Sequence, residues 1–238
     1  MGGLLTSFQQ SIYEQSLTKK HRFGMLRIDD DGRKFRYARA GATALVAGKV
    51  GTGANAGTVN IALTPAAAAV GVREISVTLG AEAVTANEYD DGLLQVYDTS
   101  TGTAGEQYRI SSHGTSTTGS AAINISLREP IRVAVLATDS VSLVPNPWNG
   151  VTETAAVAGF FAGVAPIAVT AAYYYWAQTG GEAIALNTGN TALGGVLEMS
   201  ATAGSYKIAA NYLGGLFGQS YSYASVNTKY CPVYLSQD

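Results

Sequence analysis

Three carboxylates, Asp29, Asp30 and Asp31, stand together before Gly32 and lead into "RKFRYARAG". A calcium loop needs oxygen ligands at alternating positions and a closing glutamate. Here the acids are consecutive, so their side chains diverge, and the next acid after Gly32 is Glu74. "DDG" between two alternating runs reads instead as a hairpin turn, with Gly32 free to take a positive φ. Arg33, Lys34 and Arg36 then sit across from the aspartates. Neither a metal nor any other cofactor is expected.

The remaining chemistry is sparse. His21 lies in a basic lead and His113 in "SSHGTS", but no G-x-S-x-G elbow accompanies them. A serine triad needs nucleophile, base and orienter, so a polar loop histidine is the better reading. Glu88, Asp90 and Asp91 could mimic a glycosidase pair, yet adjacent acids before a glycine read as a solvated turn. "GTGANAG" lacks the lysine and following helix of a phosphate loop. The single cysteine, Cys231, allows no intramolecular disulfide and no thiolate cluster. "RKFRYAR" has neither the aromatic platform of an RNA-binding sheet nor a sustained basic surface. The chain is expected to be no enzyme and no nucleic-acid binder.

Charge is scarce and unevenly placed. Charged residues are 13% of the chain, against about 25% in ordinary domains, which suggests a surface that meets other protein. Through Arg39 there are eight Lys/Arg and four acids; beyond it there are seven and thirteen. A basic lead on an acidic body reads as an arm that docks on something acidic. In that arm Leu4, Leu5, Phe8, Ile12, Tyr13 and Leu17 fall near helical spacing, followed by Lys19, Lys20 and Arg22. The segment reads as a short amphipathic helix or an extended arm. Nothing beside it in sequence covers its apolar side, so it is expected to pack on a neighbour. The start has no cationic region leading into an apolar run, so no signal peptide is expected.

The elements that must carry these residues are strands. "KFRYA", "TVNIALT", "REISVTLG", "GLLQVYD", "EQYRISSH" and "AAINISLREP" alternate, with turn-rich stretches between them. Uncharged Thr154–Gly181 is long enough to span a bilayer. Pro166 interrupts it and acids flank it, so it reads as a loop and buried strands. "NPWNG", Asn146–Gly150, is the densest turn signal and the best domain boundary. The chain is therefore expected to be mostly β: an arm over 1–24, a β domain over 25–150 and a barrel-like domain over 151–238, with sandwich or barrel bodies. "AVTANEY" (Ala83–Tyr89) and "AVTAAYY" (Ala168–Tyr174) match at five of seven positions, a weak internal echo. The clusters "YYYW" (Tyr173–Trp176) and "YSYASVNTKY" (Tyr221–Tyr230) would need exposure beside polar groups to bind sugar. They read first as core and subunit interface.

Four phrases carry a resemblance: "DDGRKFRYARAGATALVAGKV", "REISVTLGAEAVTANEYDDGLLQVYDTSTGTAGEQYRISSH", "LREPIRVAVLATDSVSLVPNPWNGV" and "GVAPIAVTAAYYYWAQTGG". Together they resemble a family of tailed-phage, cyanophage-like proteins that decorate or cement the capsid. The likeness covers Arg33 to about Gly181, and the C-terminal part, with extra tyrosines at Tyr206, Tyr212, Tyr221 and Tyr223, departs most. The resemblance implies a structural virion protein on the capsid exterior, assembled in the host cytoplasm and bound to the major capsid protein. It also implies a homo-oligomer, commonly a trimer, with no membrane partner, and it transfers no catalytic residue. The alternative is a virion fibre or receptor-binding base that recognises host glycan through the tyrosine-rich C-terminal region. Chelation is expected to leave the melting temperature unchanged; a fall on adding EDTA would return the aspartate run to metal binding.

Overall fold

The structure is a computed structural model, and it describes residues 8–55, 60–97, 105–155, 159–189, 192–210, 215–221 and 228–238. The chain is mostly β, with 45% strand and no helix among the described residues. The strands are β1 (Leu26–Ile28), β2 (Lys34–Ala40), β3 (Val50–Thr52), β4 (Thr64–Pro65), β5 (Glu74–Thr78), β6 (Leu93–Tyr97), β7 (Glu106–His113) and β8 (Ala122–Leu127). They continue with β9 (Ser140–Val144), β10 (Asn149–Val151), β11 (Phe161–Val164), β12 (Tyr174–Leu186), β13 (Val196–Met199), β14 (Tyr206–Ile208), β15 (Leu216–Ser220) and β16 (Tyr230–Ser236). Within Thr154–Gly181 the described residues form loop, β11 and β12. Among the described residues no helix is long and apolar enough to cross a membrane.

Two compact units divide the chain: Asn55–Asn149 forms one, and Met1–Ala54 with Gly150–Asp238 forms the other. This differs from the expected division into 25–150 and 151–238. The reason is long-range pairing. β2 is bound along β12, with Tyr175 opposite Ala38 and Trp176 opposite Tyr37. β3 pairs with β11. Residues 25–54 thus complete the sheet of the C-terminal part, and the other unit is an insertion between two strands of that sheet.

The inserted unit runs β4-β5-β8-β7-β6-β9, all antiparallel. Leu63, next to β4, exchanges both backbone hydrogen bonds with Val141 of β9, at 2.7 and 3.0 Å. That rung brings the first strand onto the last and nearly closes a barrel, which removes exposed edges. Alternation along the strands puts Ile75 and Val77, Leu94 and Val96, Tyr108 and Ile110, and Ile123 and Ile125 in one core.

The other unit follows β1-β2-β12-β16-β15-β13-β14, with β10 on β2 and β11 on β12 and β3. β12 has 13 residues. Its first half pairs with β2 and its second half with β16. Val50, Phe161, Leu197, Tyr206, Phe217 and Val233 fill one core. The Phe161 and Phe217 rings stack there at 4.1 Å.

The aspartate run forms the expected hairpin tip. Gly32 sits at φ +82 and donates to the Asp29 carbonyl at 2.9 Å. Arg33 pairs with Asp31 at 2.5 Å, and Arg27 with Asp29 at 2.8 Å. Arg36 turns elsewhere, to Asp238 at 2.5 Å. The two echoing phrases also share local structure. Val84 and Val169 are both buried, each makes an isolated antiparallel bridge, and each precedes a turn into a strand.

Among the described residues the leading segment is not helical, and part of it packs on its own unit. Ile12 joins Phe35, Tyr37 and Trp176 in a core, with Phe8, Met25 and Tyr174 against it. Ser16 and Tyr174 exchange backbone hydrogen bonds at 2.9 and 2.8 Å. The cover for the apolar face comes from Phe35 and Tyr37 on β2 and from Tyr174 and Trp176 some 160 positions later, which adjacency in sequence cannot reveal. Truncating Ile12 to Ala should cost about 2–5 kcal/mol, as for other buried large-to-small changes. Hydrogen exchange should then quicken in β2 and the first half of β12 while β7 and β8 keep their protection. Equal loss in both units would contradict this packing.

Candidate functional site

Of the arm residues expected to contact a partner, Leu4 and Leu5 lie outside the described residues. The structure divides the others. Phe8 and Ile12 point into the body. Tyr13 and Leu17 stand outward, 60% and 67% exposed. Lys20 and Arg22 are exposed, while the Lys19 ammonium lies 4.3 Å over the Phe23 ring.

What holds the arm is a knot around Gln10, which is 1% exposed. Its side-chain amide donates to the carbonyls of Glu14 at 2.8 Å and Tyr174 at 3.0 Å, and its side-chain oxygen accepts from the Tyr37 hydroxyl at 3.2 Å. The Gln10 carbonyl accepts from Trp176 Nε1 at 3.1 Å and Arg27 Nη1 at 3.0 Å. A buried amide is tolerated when its groups are all paired. The His21 ring packs against Tyr37 at 5.0 Å and Trp176 at 5.2 Å. Arg27 lies over Phe8 at 4.9 Å. Sequence spacing flagged Phe8 and Ile12, but nothing in it marked Gln10 as the central residue.

The acids considered for glycoside chemistry hold their own turn. Glu88 accepts from the backbone and hydroxyl of Thr85, both at 3.0 Å. Arg128 bridges Asp90, at 3.5 Å, and Asp91. The Asp91 carbonyl accepts from Arg109 at 2.9 Å and Asn146 at 3.0 Å. Among the described residues no group of three His, Cys, Asp or Glu is placed to hold a metal ion. Cys231 is buried in β16.

One open groove of about 520 Å³ lies in the larger unit. Tyr13, Tyr221 and Tyr230 line it together with Arg33, Glu182 and Ile184. The three tyrosines are 60%, 45% and 46% exposed. Their placement follows from the elements. Tyr230 and Ile184 are outward-facing positions of the paired strands β16 and β12. Gly48, at φ +77, lets the Tyr230 ring lie against the backbone, since a Cβ there would stand 2.8 Å from two ring carbons. Arg33, anchored on Asp31, donates to the Tyr13 hydroxyl at 3.4 Å. "YYYW" and "YSYASVNTKY" thus part ways: Tyr175 and Trp176 are core, whereas Tyr221 and Tyr230 stand in the open beside charged groups.

Burial and neighbouring charge set the titrations. Burial pushes the Tyr37 hydroxyl up to about 12. The Arg36 guanidinium, aided by Thr179 Oγ1 at 2.6 Å, holds the Asp238 side-chain carboxyl below its usual range. Burial lowers His113, and burial with the cations Lys20 and Arg27 lowers His21. His113 Nε2 accepts from the Tyr89 amide at 2.9 Å and Nδ1 faces the Gly114 carbonyl at 2.7 Å, so the ring is neutral with its proton on Nδ1.

No family model, curated protein or solved structure matches this chain.

Both histidines resist protonation in the folded state, while the unfolded chain takes up protons near the ordinary value of 6.5. Unfolding therefore binds protons, and stability rises with pH in that range. The contribution is complete above 6.5 and is lost as pH falls through the lower folded values. Melting temperature should fall on acidification from about pH 7 to 5. His113→Gln should reduce that slope while lowering stability at neutral pH, measured by calorimetry across the range; an unchanged slope would count against His113.

Proposed function

We propose that this chain is a structural virion protein that binds the outer surface of a phage capsid and cements neighbouring major capsid subunits as a homotrimer. The observation that carries the reading is the outward face of the anchored arm. Tyr13 and Leu17 are held out to solvent, and Ile28 on the adjoining hairpin is 57% exposed. Exposed Lys20 and Arg22 belong to the same segment. Large apolar side chains on a fixed backbone lose little further freedom when a partner covers them. The cations favour an acidic partner surface, with attraction that weakens in salt. Cementing needs many modest contacts rather than one tight one, because an oligomer multiplies them. The low charge content and the resemblance of four phrases to those of capsid decoration proteins support the same reading.

Electron cryomicroscopy of the particle that carries this protein tests it. Density in many copies over the shell, bridging adjacent capsid subunits, is the expected result. Density confined to a tail or a few vertices would favour a fibre or receptor-binding base. In solution the full chain should have the mass of a trimer. Leu17→Asp should leave melting unchanged and weaken particle attachment about tenfold, a change of about 1.4 kcal/mol.

A further inference from the structure

We propose that the groove formed by Tyr13, Tyr221 and Tyr230 is a binding site for a neutral oligosaccharide chain. The proposal does not rest on capsid attachment.

The volume of about 520 Å³ is within the range of small-ligand sites. Its walls have the chemistry a sugar needs. One face of a pyranose carries C–H groups of slight positive charge, which suit the negative face of an aromatic ring. Its edge carries hydroxyls that donate to carboxylates and accept from cationic donors. The groove supplies three half-exposed tyrosines for the faces, and Glu182 and Arg33 for the edges. The Glu182 carboxylate has no cation within ion-pair reach among the described residues, so its oxygens are free to accept.

The walls are set before any ligand arrives. Tyr230 rests on the Gly48 backbone, and Tyr13 is tied through Arg33 to the hairpin aspartate Asp31. Prearranged rings lose less freedom on binding. Tyr234 shares the outward face of β16 with Tyr230 and is 53% exposed, opposite Glu182 in register. Four residues of strand separate the two rings by about 13 Å, a span for several linked sugars rather than one.

Charge selects among saccharides. Glu182 is an acid in the groove, and Arg33 is already engaged by Asp31. A polyanionic chain would meet an unpaired carboxylate and a cation already in use. Neutral sugars meet no such penalty.

The test is titration of the full chain with maltopentaose, cellopentaose and N-acetylchitopentaose, followed by calorimetry and saturation-transfer NMR. At least one should bind with a dissociation constant of about 1 mM or tighter, and its monosaccharide should bind at least about tenfold more weakly. Tyr221→Ala and Glu182→Gln should each weaken binding several-fold with the melting temperature unchanged. Tyr230→Ala should weaken it about tenfold; if that variant melts lower because Gly48 is uncovered, the other two decide. Failure of all three pentasaccharides to bind, or binding unchanged in Tyr221→Ala and Glu182→Gln, overturns the proposal. Capsid attachment is measured separately and survives either result.

Discussion

The burial of Gln10 is the constraint around which the larger unit is arranged. A side-chain amide and a backbone carbonyl are taken out of water together, and each must find partners within the fold. Those partners are Tyr37 on β2, Tyr174 and Trp176 on β12, Arg27 in the first hairpin and Glu14 in the arm. The arrangement is satisfied only when β2 and β12 are in register and the hairpin is closed. One polar residue thus ties the arm, the hairpin and the sheet to a single geometry. The aromatic rings around it supply the apolar burial, and the hydrogen bonds specify the position.

That anchoring changes the meaning of the arm. An apolar stripe with no local cover suggests a segment that waits for a partner. Here the stripe is split between inside and outside. Phe8 and Ile12 are consumed by the body, which leaves Tyr13 and Leu17 fixed in place and exposed. The same fixing places Tyr13 at the groove, where Arg33 reaches its hydroxyl. Arm, hairpin and groove are therefore one connected structure, and a change at Gln10 would reach Tyr13 without touching it.

The two units share a local device outside their named strands. Each contains a bridge formed by two segments that lead into turns: Leu45 with Val169 in one, Ala68 with Val135 in the other. In each pair both backbone hydrogen bonds are made, at 2.8 and 2.9 Å. The residues in them are small or branched and apolar, which suits a site with little room and no exposed backbone. The inserted unit holds its polar groups in the Asp91–Arg128–Asn146 turn, where carbonyl and carboxylate are both taken up by neighbours.

Strand periodicity and the hairpin at Asp29–Arg33 were legible in the sequence, because each depends on residues close together in the chain. Alternation reports one buried face, and Gly32 reports a positive φ. Other features were not legible. The insertion of Asn55–Asn149 depends on β2 recognising β12 across more than 130 residues, and local composition carries no record of such a pairing. Nothing in the sequence singled out Gln10, since most of its partners lie on strands far along the chain. The tyrosines of "YYYW" and "YSYASVNTKY" looked alike in sequence. Strand pleat and register, decided by long-range hydrogen bonding, sent Tyr175 and Trp176 inward and left Tyr230 facing solvent beside Glu182.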